Sequence, residues 1–317
     1  MNAFAHNIFA AWHSIISHGP KWIVRGYILL VAGVSKRFFS GLLATRCRNV
    51  VLEAEWPKVG LPAQAVRFGG HPLKLTPHLG EFDIDALWFR ALPYESGLAA
   101  WIGTHAADAY DVVIEIGANV GVYSCLFGAL ANRKSRLKRV YVFEPARQAF
   151  ERLQGNLKSN ASDRVTAFQA AVAQQSGFVE FYLPQDHLTN GSLKRDFAAY
   201  FSDDVATDTV FAVGADSLKK LVHDGERVLL KIDVEGYEAE LLESLIAFVD
   251  VHNADLIVEV LTGAEVAISS WALTHGYSTA MIMGDGHMVS GPVTAHAVHR
   301  DWLLQRESKP DARPSIA

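Results

Sequence analysis

Short apolar runs alternate along residues 94–305 with longer segments whose apolar residues recur at helical spacing. The run at 112–116 is rich in β-branched residues and almost continuously apolar, which is typical of a parallel strand buried on both faces. A helical pattern at 123–130 follows it. This strand-then-helix order predicts a doubly wound (Rossmann-like) α/β sheet, mostly parallel. Further strand runs occupy 140–143, 228–233 and 256–260.

The pattern changes towards both ends of the chain. Residues 277–290 predict an antiparallel hairpin whose turn contains Asp285 and Gly286, and the charged tail with two prolines predicts disorder. We therefore expect four parts: an apolar helical N-terminal segment (1–48), an accessory or cap segment rich in Gly and Pro (49–93), the main α/β domain (94–305) and the tail (306–317).

Residues 4–45 are apolar with a helical pattern, but only residues 26–34 are uninterrupted by charge. That length is short of the roughly 20 residues that span a bilayer. No Lys or Arg precedes Lys21, which argues against a standard signal peptide. Three interpretations stay open: docking on the main domain, contact within a homodimer, and peripheral contact with a membrane surface.

An acidic residue and two glycines surround the end of the first strand. Glu115 lies in the strand, and Gly117 and Gly121 flank the turn into the next helix. A dinucleotide fingerprint, G-x-G-x-x-G, would require glycine in place of Asn119 and Val122. The pattern instead suits a ligand without phosphates, such as S-adenosylmethionine, whose carboxylate can bind backbone donors at the positive helix end. An ordinary strand-to-helix turn is the alternative.

Glu144 ends the second strand and is followed at once by Pro145. A carboxylate at this point of a doubly wound sheet typically binds a ribose diol. Glu144 lies 27 positions beyond Gly117, more than the usual interval of about 20, because the basic segment 132–139 lengthens the connection. An exposed strand-end acid is the alternative.

A third acidic group follows the next strand. Alternation puts Lys231 and Asp233 on one face of that strand, with Glu235 in the loop beyond it. If the strand after it is a neighbour, Glu259 reaches the same edge, where open α/β sheets bind ligands. Three acids and a lysine would then converge. Alternatively, Lys231 and Asp233 form an ion pair that only orders the loop.

Composition narrows the class of protein. The chain has 317 residues, 50% of them hydrophobic, which is enough for one sizeable α/β core and an accessory segment. A net charge of −5 argues against nucleic-acid binding. The two cysteines, Cys47 and Cys125, form no disulfide framework or metal-ligand spacing, so a reducing cytoplasm is expected, with membrane association left open. The 13 histidines form no metal motif.

These motifs resemble the FkbM-type methyltransferases. The resemblance rests on E-I-G-A-N-V-G at 115–121, F-E-P at 143–145, Asn156 and Asn160 in the following helix, and K-I-D-V-E-G-Y-E at 231–238. At 215–218, A-D-S-L departs from the family's usual T-L-D-x-L: Asp216 is kept and the threonine is lost. The resemblance covers roughly residues 92–303.

The resemblance implies a class I methyltransferase fold, S-adenosylmethionine as cofactor, and O-methylation of a hydroxyl group on a sugar, glycolipid or polyketide-like acceptor. It places a strand and hairpin beside the adenine at 171–182 and a short polar segment on the acceptor side at 191–193. The cofactor-binding residues it implies are Glu115, Gly117, Ala118, Asn119, Gly121, Glu144, Ala171 and Asp233, and the acceptor-binding residues are Ser192, Glu235 and Glu259.

A methyl group on a positively charged sulfur is already activated, so the protein chiefly has to align the acceptor oxygen and exclude water. We expect Asp233 to act as the general base, with Lys231 holding it ionised and Glu235 assisting. The carboxylates could share a divalent cation, but we predict no metal site. Two rival classes remain: a non-catalytic S-adenosylmethionine-binding regulatory or assembly module, and a nicotinamide-dependent oxidoreductase, which Asn119 and Val122 disfavour.

Overall fold

The computed structural model describes residues 16–38, 42–52, 56–185 and 190–306. Residues 4–15 of the predicted helical segment, and residues 307–317 of the predicted tail, lie outside the described residues. The chain divides into two compact units, Met1–Tyr94 and Glu95–Ala317. Each unit has its own apolar core.

Helices and one hairpin make up the described part of the first unit. The hairpin turns at Gly69 and Gly70, which both have positive φ, a conformation that glycine adopts without steric cost. Val24 and Ile28 pack with Leu87 and Trp88 in the core of this unit. Its elements are α1 (Lys21–Phe38), α2 (Leu42–Leu52), β1 (Gln64–Phe68), β2 (His71–Leu75), a 3₁₀ turn (Phe82–Ile84) and α3 (Asp85–Trp88).

The second unit alternates strands and helices, as the hydrophobic pattern predicts. Its elements are α4 (Ser96–Ala109), β3 (Val112–Ile116), α5 (Val122–Ala131), β4 (Arg139–Phe143), α6 (Arg147–Ser159), β5 (Val165–Phe168), β6 (Ala171–Ala173), β7 (Gly177–Pro184), α7 (Arg195–Phe201), β8 (Val205–Gly214), a 3₁₀ helix (Ala215–Leu221), β9 (Val228–Ile232), α8 (Glu238–His252), β10 (Asp255–Glu259), α9 (Glu265–Thr274), β11 (Tyr277–Ile282), β12 (Met288–Ser290) and β13 (Asp301–Arg306). Every residue of β3 and β9 is buried, as expected for central parallel strands.

The main sheet has the strand order β12-β11-β13-β10-β9-β3-β4-β5. Strands β5, β4, β3, β9 and β10 are parallel neighbours, which confirms the predicted doubly wound, mostly parallel sheet. The chain runs outward from β3 to β5 and then returns to β9 on the other side of β3. Such a reversal leaves a crevice beyond the carboxyl ends of the strands, where ligands bind.

The sequence analysis does not predict three strands of this unit: β5, β8 and β13. The predicted hairpin of β11 and β12 is confirmed, but β13 lies between β11 and β10 and is antiparallel to both. The predicted strands at 171–182 belong to a separate three-stranded sheet, because β6 and β7 both pair with β8.

No helix in the described part of the chain is both long and apolar enough to cross a membrane.

Candidate active site

The turn after β3 is packed directly against the end of β9. Gly117 has a φ of +86°, and a Cβ atom there would lie 1.7 Å from the backbone oxygen of Asp233. No side chain fits in that space. The backbone N–H groups of Gly117 and Ala118 both donate to the carbonyl of Phe143, at 3.0 Å. The carboxyl ends of β3, β4 and β9 therefore meet at one turn.

Glu144 fixes the shape of this turn. Its Oε2 accepts a 2.7 Å hydrogen bond from the backbone N–H of Asn119, and its Oε1 accepts one of 2.8 Å from Ala146. Asn119 has a left-handed φ of +50°, and its buried Oδ1 has no hydrogen-bond partner among the described residues. Burial raises the pKa of Glu144 to about 7, although both backbone bonds lower it. Each carboxylate oxygen keeps a lone pair for a further donor.

Gly121 and the buried Asn156 support the turn from below. A Cβ atom at Gly121 would lie 2.7 Å from Leu153 Cδ1 on α6. Asn156 Nδ2 donates to the backbone oxygen of Val120 at 2.9 Å. Helix α6 is thus pressed against the turn at one position and hydrogen-bonded to it at another.

Glu115 lies beneath the turn, buried between β3 and the helix that follows. Its Oε2 accepts a 2.7 Å bond from the Ser124 hydroxyl, and it faces Lys231 across the β3–β9 pairing. Burial raises the pKa of Glu115 to about 7, although the Lys231 ammonium lowers it. The predicted cofactor contact of Glu115 stays a prediction, because its carboxylate is turned towards these two groups.

Lys231 is a buried ammonium with partners on several sides. Its Nζ lies 3.0 Å from Asp233 Oδ2 and 4.7 Å from the centroid of the Tyr123 ring. Burial alone would lower the pKa of Lys231, but the carboxylates of Asp233 and Glu115 raise it above its usual value. The Tyr123 hydroxyl donates in turn to Glu95 Oε2 at 2.8 Å. Lys231 therefore stays charged beside Asp233.

The loop after β9 is held by its own hydrogen bonds. Glu235 has a left-handed φ of +53°, and the backbone N–H groups of Val234 and Gly236 both donate to Glu238 Oε1 at 3.1 Å. Ser192 donates from Oγ to the backbone oxygen of Glu235 at 2.7 Å and is fully buried. Ser192 thus lies beside the site as predicted, but its hydroxyl is engaged with the loop, and its contact with an acceptor stays a prediction.

Four further carboxyl groups surround Asp233: Glu95, Glu235, Glu259 and Asp301. Asp301 lies opposite Glu259 in the antiparallel β10–β13 pairing, where like charges repel. Burial, followed by the charge of Asp233, raises the pKa of Glu235 to about 9 and that of Glu259 to about 10. Burial and the charge of Glu95 also raise the pKa of Asp301. Burial and the neighbouring carboxylates therefore favour the protonated forms of Glu235 and Glu259, which can donate hydrogen bonds.

Two basic side chains, Arg300 and Lys231, partly offset the negative charge of these carboxyl groups. Arg300 Nη1 lies 3.5 Å from Glu259 Oε1 and is exposed to solvent, whereas Lys231 is buried. Within the described residues, no group of three or more His, Cys, Asp or Glu side chains is arranged to hold a metal ion.

Ala171 lies on the other side of Glu144. It is buried in a cluster with Ala146 and Ala149, which follow Glu144 in the chain, and with Phe181 and Ala212 of the three-stranded sheet. This cluster is apolar and lies next to the predicted ribose position, as an adenine site requires. The adenine contact of Ala171 stays a prediction.

A model of the methyltransferase FkbM domain matches residues 115–306, which is more than half of the chain. The chain belongs to the FkbM methyltransferase family. The resemblance seen in the motifs is confirmed.

Individual relatives of this FkbM family member are distant. The hexuronic acid methyltransferase AglP from Haloferax volcanii is 28% identical over 162 residues, which are 50% of this chain and 59% of AglP. The solved methyltransferase FkbM from Methylobacillus flagellatus KT has 12% identity and a TM-score of 0.43, covering 91% of this chain and 60% of that one. M. jannaschii TYW2, solved in complex with AdoMet, has 15% identity and a TM-score of 0.36, covering 77% and 87%. This chain thus spans about three fifths of the length of AglP.

The site of this FkbM family member contains residues to which the sequence analysis gives no role. These residues are Glu95, Tyr123, Glu238 and Asp301. Asp301 precedes the apolar run 302–304, whose strand pattern was a usable signal. Nothing local marks Tyr123, because its role depends on the ammonium that β9 brings under its ring.

Proposed function

We propose that this protein is an S-adenosylmethionine-dependent methyltransferase that methylates a hydroxyl group of a carbohydrate acceptor. Membership of the FkbM family supports the reaction class. The observation that carries the proposal is the close approach of Gly117 to the backbone of Asp233, because it holds the cofactor turn next to the candidate base. A non-catalytic binding module would need the cofactor turn, but it would not need a base next to that turn.

The turn suits the proposed cofactor in two respects. The space at Gly117 admits no Cβ atom, and the buried Oδ1 of Asn119 has no partner among the described residues, so an acceptor atom is available beside the turn. Glu144 would hold a ribose diol with its remaining lone pairs, because each of its oxygens accepts only one backbone N–H. We assign the adenine to the apolar cluster around Ala171.

S-adenosylmethionine supplies, when bound, a methyl group on a positively charged sulfur. The protein then has to place an acceptor oxygen in line with that methyl group, and such alignment is worth roughly 7 to 11 kcal/mol. Asp233 accepts the proton that the acceptor hydroxyl loses, which is worth on the order of 10² to 10⁴ in rate. Lys231 orients the carboxylate of Asp233 through their ion pair.

Protonated Glu235 and Glu259 fit a polyhydroxylated acceptor. Carboxylic acids can donate to ring or hydroxyl oxygens, and the exposed Arg300 beside Glu259 offers a cation to an acidic sugar. The relative AglP is named for a hexuronic acid, which supports a uronic acid as the first acceptor to test.

The test has two parts, binding and turnover. Calorimetric titration with S-adenosylhomocysteine should show binding, and NAD should not bind. Methyl transfer should then be measured by mass spectrometry, as a gain of one methyl group, with hexuronic acid glycosides and the matching neutral hexosides. No heat with S-adenosylhomocysteine would overturn the proposal. Binding without turnover on either set, or on a total glycan and lipid extract, would support the non-catalytic alternative.

A further inference from the structure

One face of α1 is both apolar and exposed to solvent. Trp22, Leu30 and Phe38 are 74%, 66% and 70% exposed, and Val34 is exposed as well. At about 100° per residue these side chains cover an arc of roughly 160° around the helix, from Trp22 round to Phe38, on the side away from the core. Gly26 and Arg37 also lie within this arc, but four large apolar side chains exposed there are unusual for a surface helix, which normally turns polar residues to solvent.

The opposite face of α1 already has its partners. Val24, Ile28 and Ala32 are fully buried in the core of the first unit and also recur every fourth residue. They are offset by two positions from Trp22 and its counterparts, and two helical residues turn about 200°. The exposed face therefore points away from the core that anchors the helix. At the start of α2, Leu42 and Leu43 are exposed too.

The N-terminal part of the chain is basic, whereas the second unit is acidic. Residues 1–52 contain six Lys and Arg and no Asp or Glu, whereas residues 95–317 contain 19 Lys and Arg against 29 Asp and Glu. Two of the six cations are engaged within the unit: Lys36 donates to the carbonyls of Ala65 and Ala86, and Arg48 pairs with Asp85. The remaining four are exposed, namely Lys21, Arg25, Arg37 and Arg46.

We propose that the exposed face of α1, with the start of α2, docks on an anionic lipid surface. Apolar side chains that enter the headgroup region, beside cations that meet anionic lipid, are the two signals that hold an interfacial helix. The uncharged stretch 26–34 has only nine residues, which is too short to span a bilayer but suits a helix that lies along its surface. This occupant fits better than a second copy of the chain, because a symmetric contact would bring the exposed cations of both copies together.

Co-sedimentation of the full 317-residue chain with lipid vesicles tests this surface. We expect binding to vesicles of equal parts phosphatidylcholine and phosphatidylglycerol, and little binding to phosphatidylcholine alone. The substitution Leu30→Glu should lower the bound fraction at least tenfold, because it puts a charge in the middle of the apolar face. The double substitution Arg25→Gln and Arg37→Gln should lower the partition coefficient about fivefold per charge removed.

Leu273→Glu is the matched control, since Leu273 on α9 is 82% exposed and lies outside the first unit. It should bind vesicles like the wild type, and thermal unfolding should show that all variants are folded. Failure of the wild type to bind anionic vesicles would overturn the proposal. Binding of Leu30→Glu and of the double arginine variant at the wild-type level would also overturn it. So would a wild-type dimer that Leu30→Glu dissociates, if the wild type shows no binding to lipid.

Discussion

Gly117 is required by space as well as by backbone conformation. Its positive φ is strained for other residues, and the Asp233 carbonyl occupies the volume that a Cβ atom would need. Gly225 offers a comparison, because it has nearly the same φ, +82°, with nothing within 4 Å of a Cβ position. Comparing alanine substitutions at these two positions therefore separates the effect of backbone strain from that of steric clash.

We expect Gly117→Ala to destabilise the protein by at least about 2 kcal/mol more than Gly225→Ala. Both variants bear a similar backbone strain, but only the first pushes β9 away from the turn. Urea unfolding measures the difference, and titration should show that Gly117→Ala also loses S-adenosylhomocysteine binding. Equal losses of stability in the two variants would refute the proposed packing of the turn on β9.

Asp233 combines a backbone role with a side-chain role. Its carbonyl packs on Gly117, while its carboxylate pairs with Lys231. Asp233→Asn keeps the backbone contact and removes the proton acceptor, so turnover should fall by about 10² to 10⁴ while S-adenosylhomocysteine binding changes little. Asp216→Asn, which alters the exposed pair with Lys219, should leave turnover unchanged. Full activity of Asp233→Asn would eliminate Asp233 as the base.

Ser192 connects two elements that are distant in the sequence. It bridges to Tyr182 on β7 through its backbone, and its hydroxyl holds the loop between β9 and α8 at Glu235. The same hydroxyl accepts a bond from the backbone N–H of Lys194 at 3.0 Å. The three-stranded sheet therefore positions the loop between β9 and α8 through one buried side chain.

Ser192→Ala should cost about 1 kcal/mol of stability, because it removes two part-buried hydrogen bonds to the backbone at Lys194 and Glu235. The loop carrying Glu235 would loosen, so KM for the acceptor should rise more than the Kd of S-adenosylhomocysteine. Ser244→Ala is the control, since that exposed hydroxyl bonds only to Glu240 within α8. If both variants have wild-type stability and KM, Ser192 does not position the loop.

Strands β8 and β13 show why local pattern left part of the fold unpredicted. The exposed middle of β8 alternates polar and small residues without a clear apolar face, so it does not stand out as a strand. The short apolar run of β13 was visible, but its place between β10 and β11 depends on pairing with strands more than 20 residues away. Asp301 could therefore not be predicted to face Glu259.

The carboxyl groups around Asp233 couple folding of the second unit to pH. The pKa of Glu259 is raised from 4.5 to about 10, so the folded protein holds a proton that the unfolded chain has lost between these values. This contribution to stability is fully present below pH 4.5 and is lost as the pH rises through about 10. Glu235 and Asp301 act in the same direction.

We expect Glu259→Gln to be progressively more stable relative to the wild type as the pH rises from 5 to 9. The difference should grow by up to about 1.4 kcal/mol per pH unit, the value for one proton. Urea unfolding at several pH values measures it. Glu151→Gln is the control, because Glu151 forms an exposed pair with Arg147. A stability difference between Glu259→Gln and the wild type that does not change with pH would contradict the raised pKa of Glu259.

Local pattern sufficed for the parallel strands β3, β4, β9 and β10, though not for β5, and for the glycine turn and the acids at the strand ends, because burial on both faces and positive φ restrict residue types position by position. It also placed Lys231 and Asp233 on one face, since strand alternation is a local property. The pairing of Asp301 with Glu259, the contact of Tyr123 with Lys231 and the engagement of Ser192 emerged only in the folded chain. Each of these depends on which distant segments become neighbours and on how much water they exclude, and neither property is encoded in any short stretch of sequence.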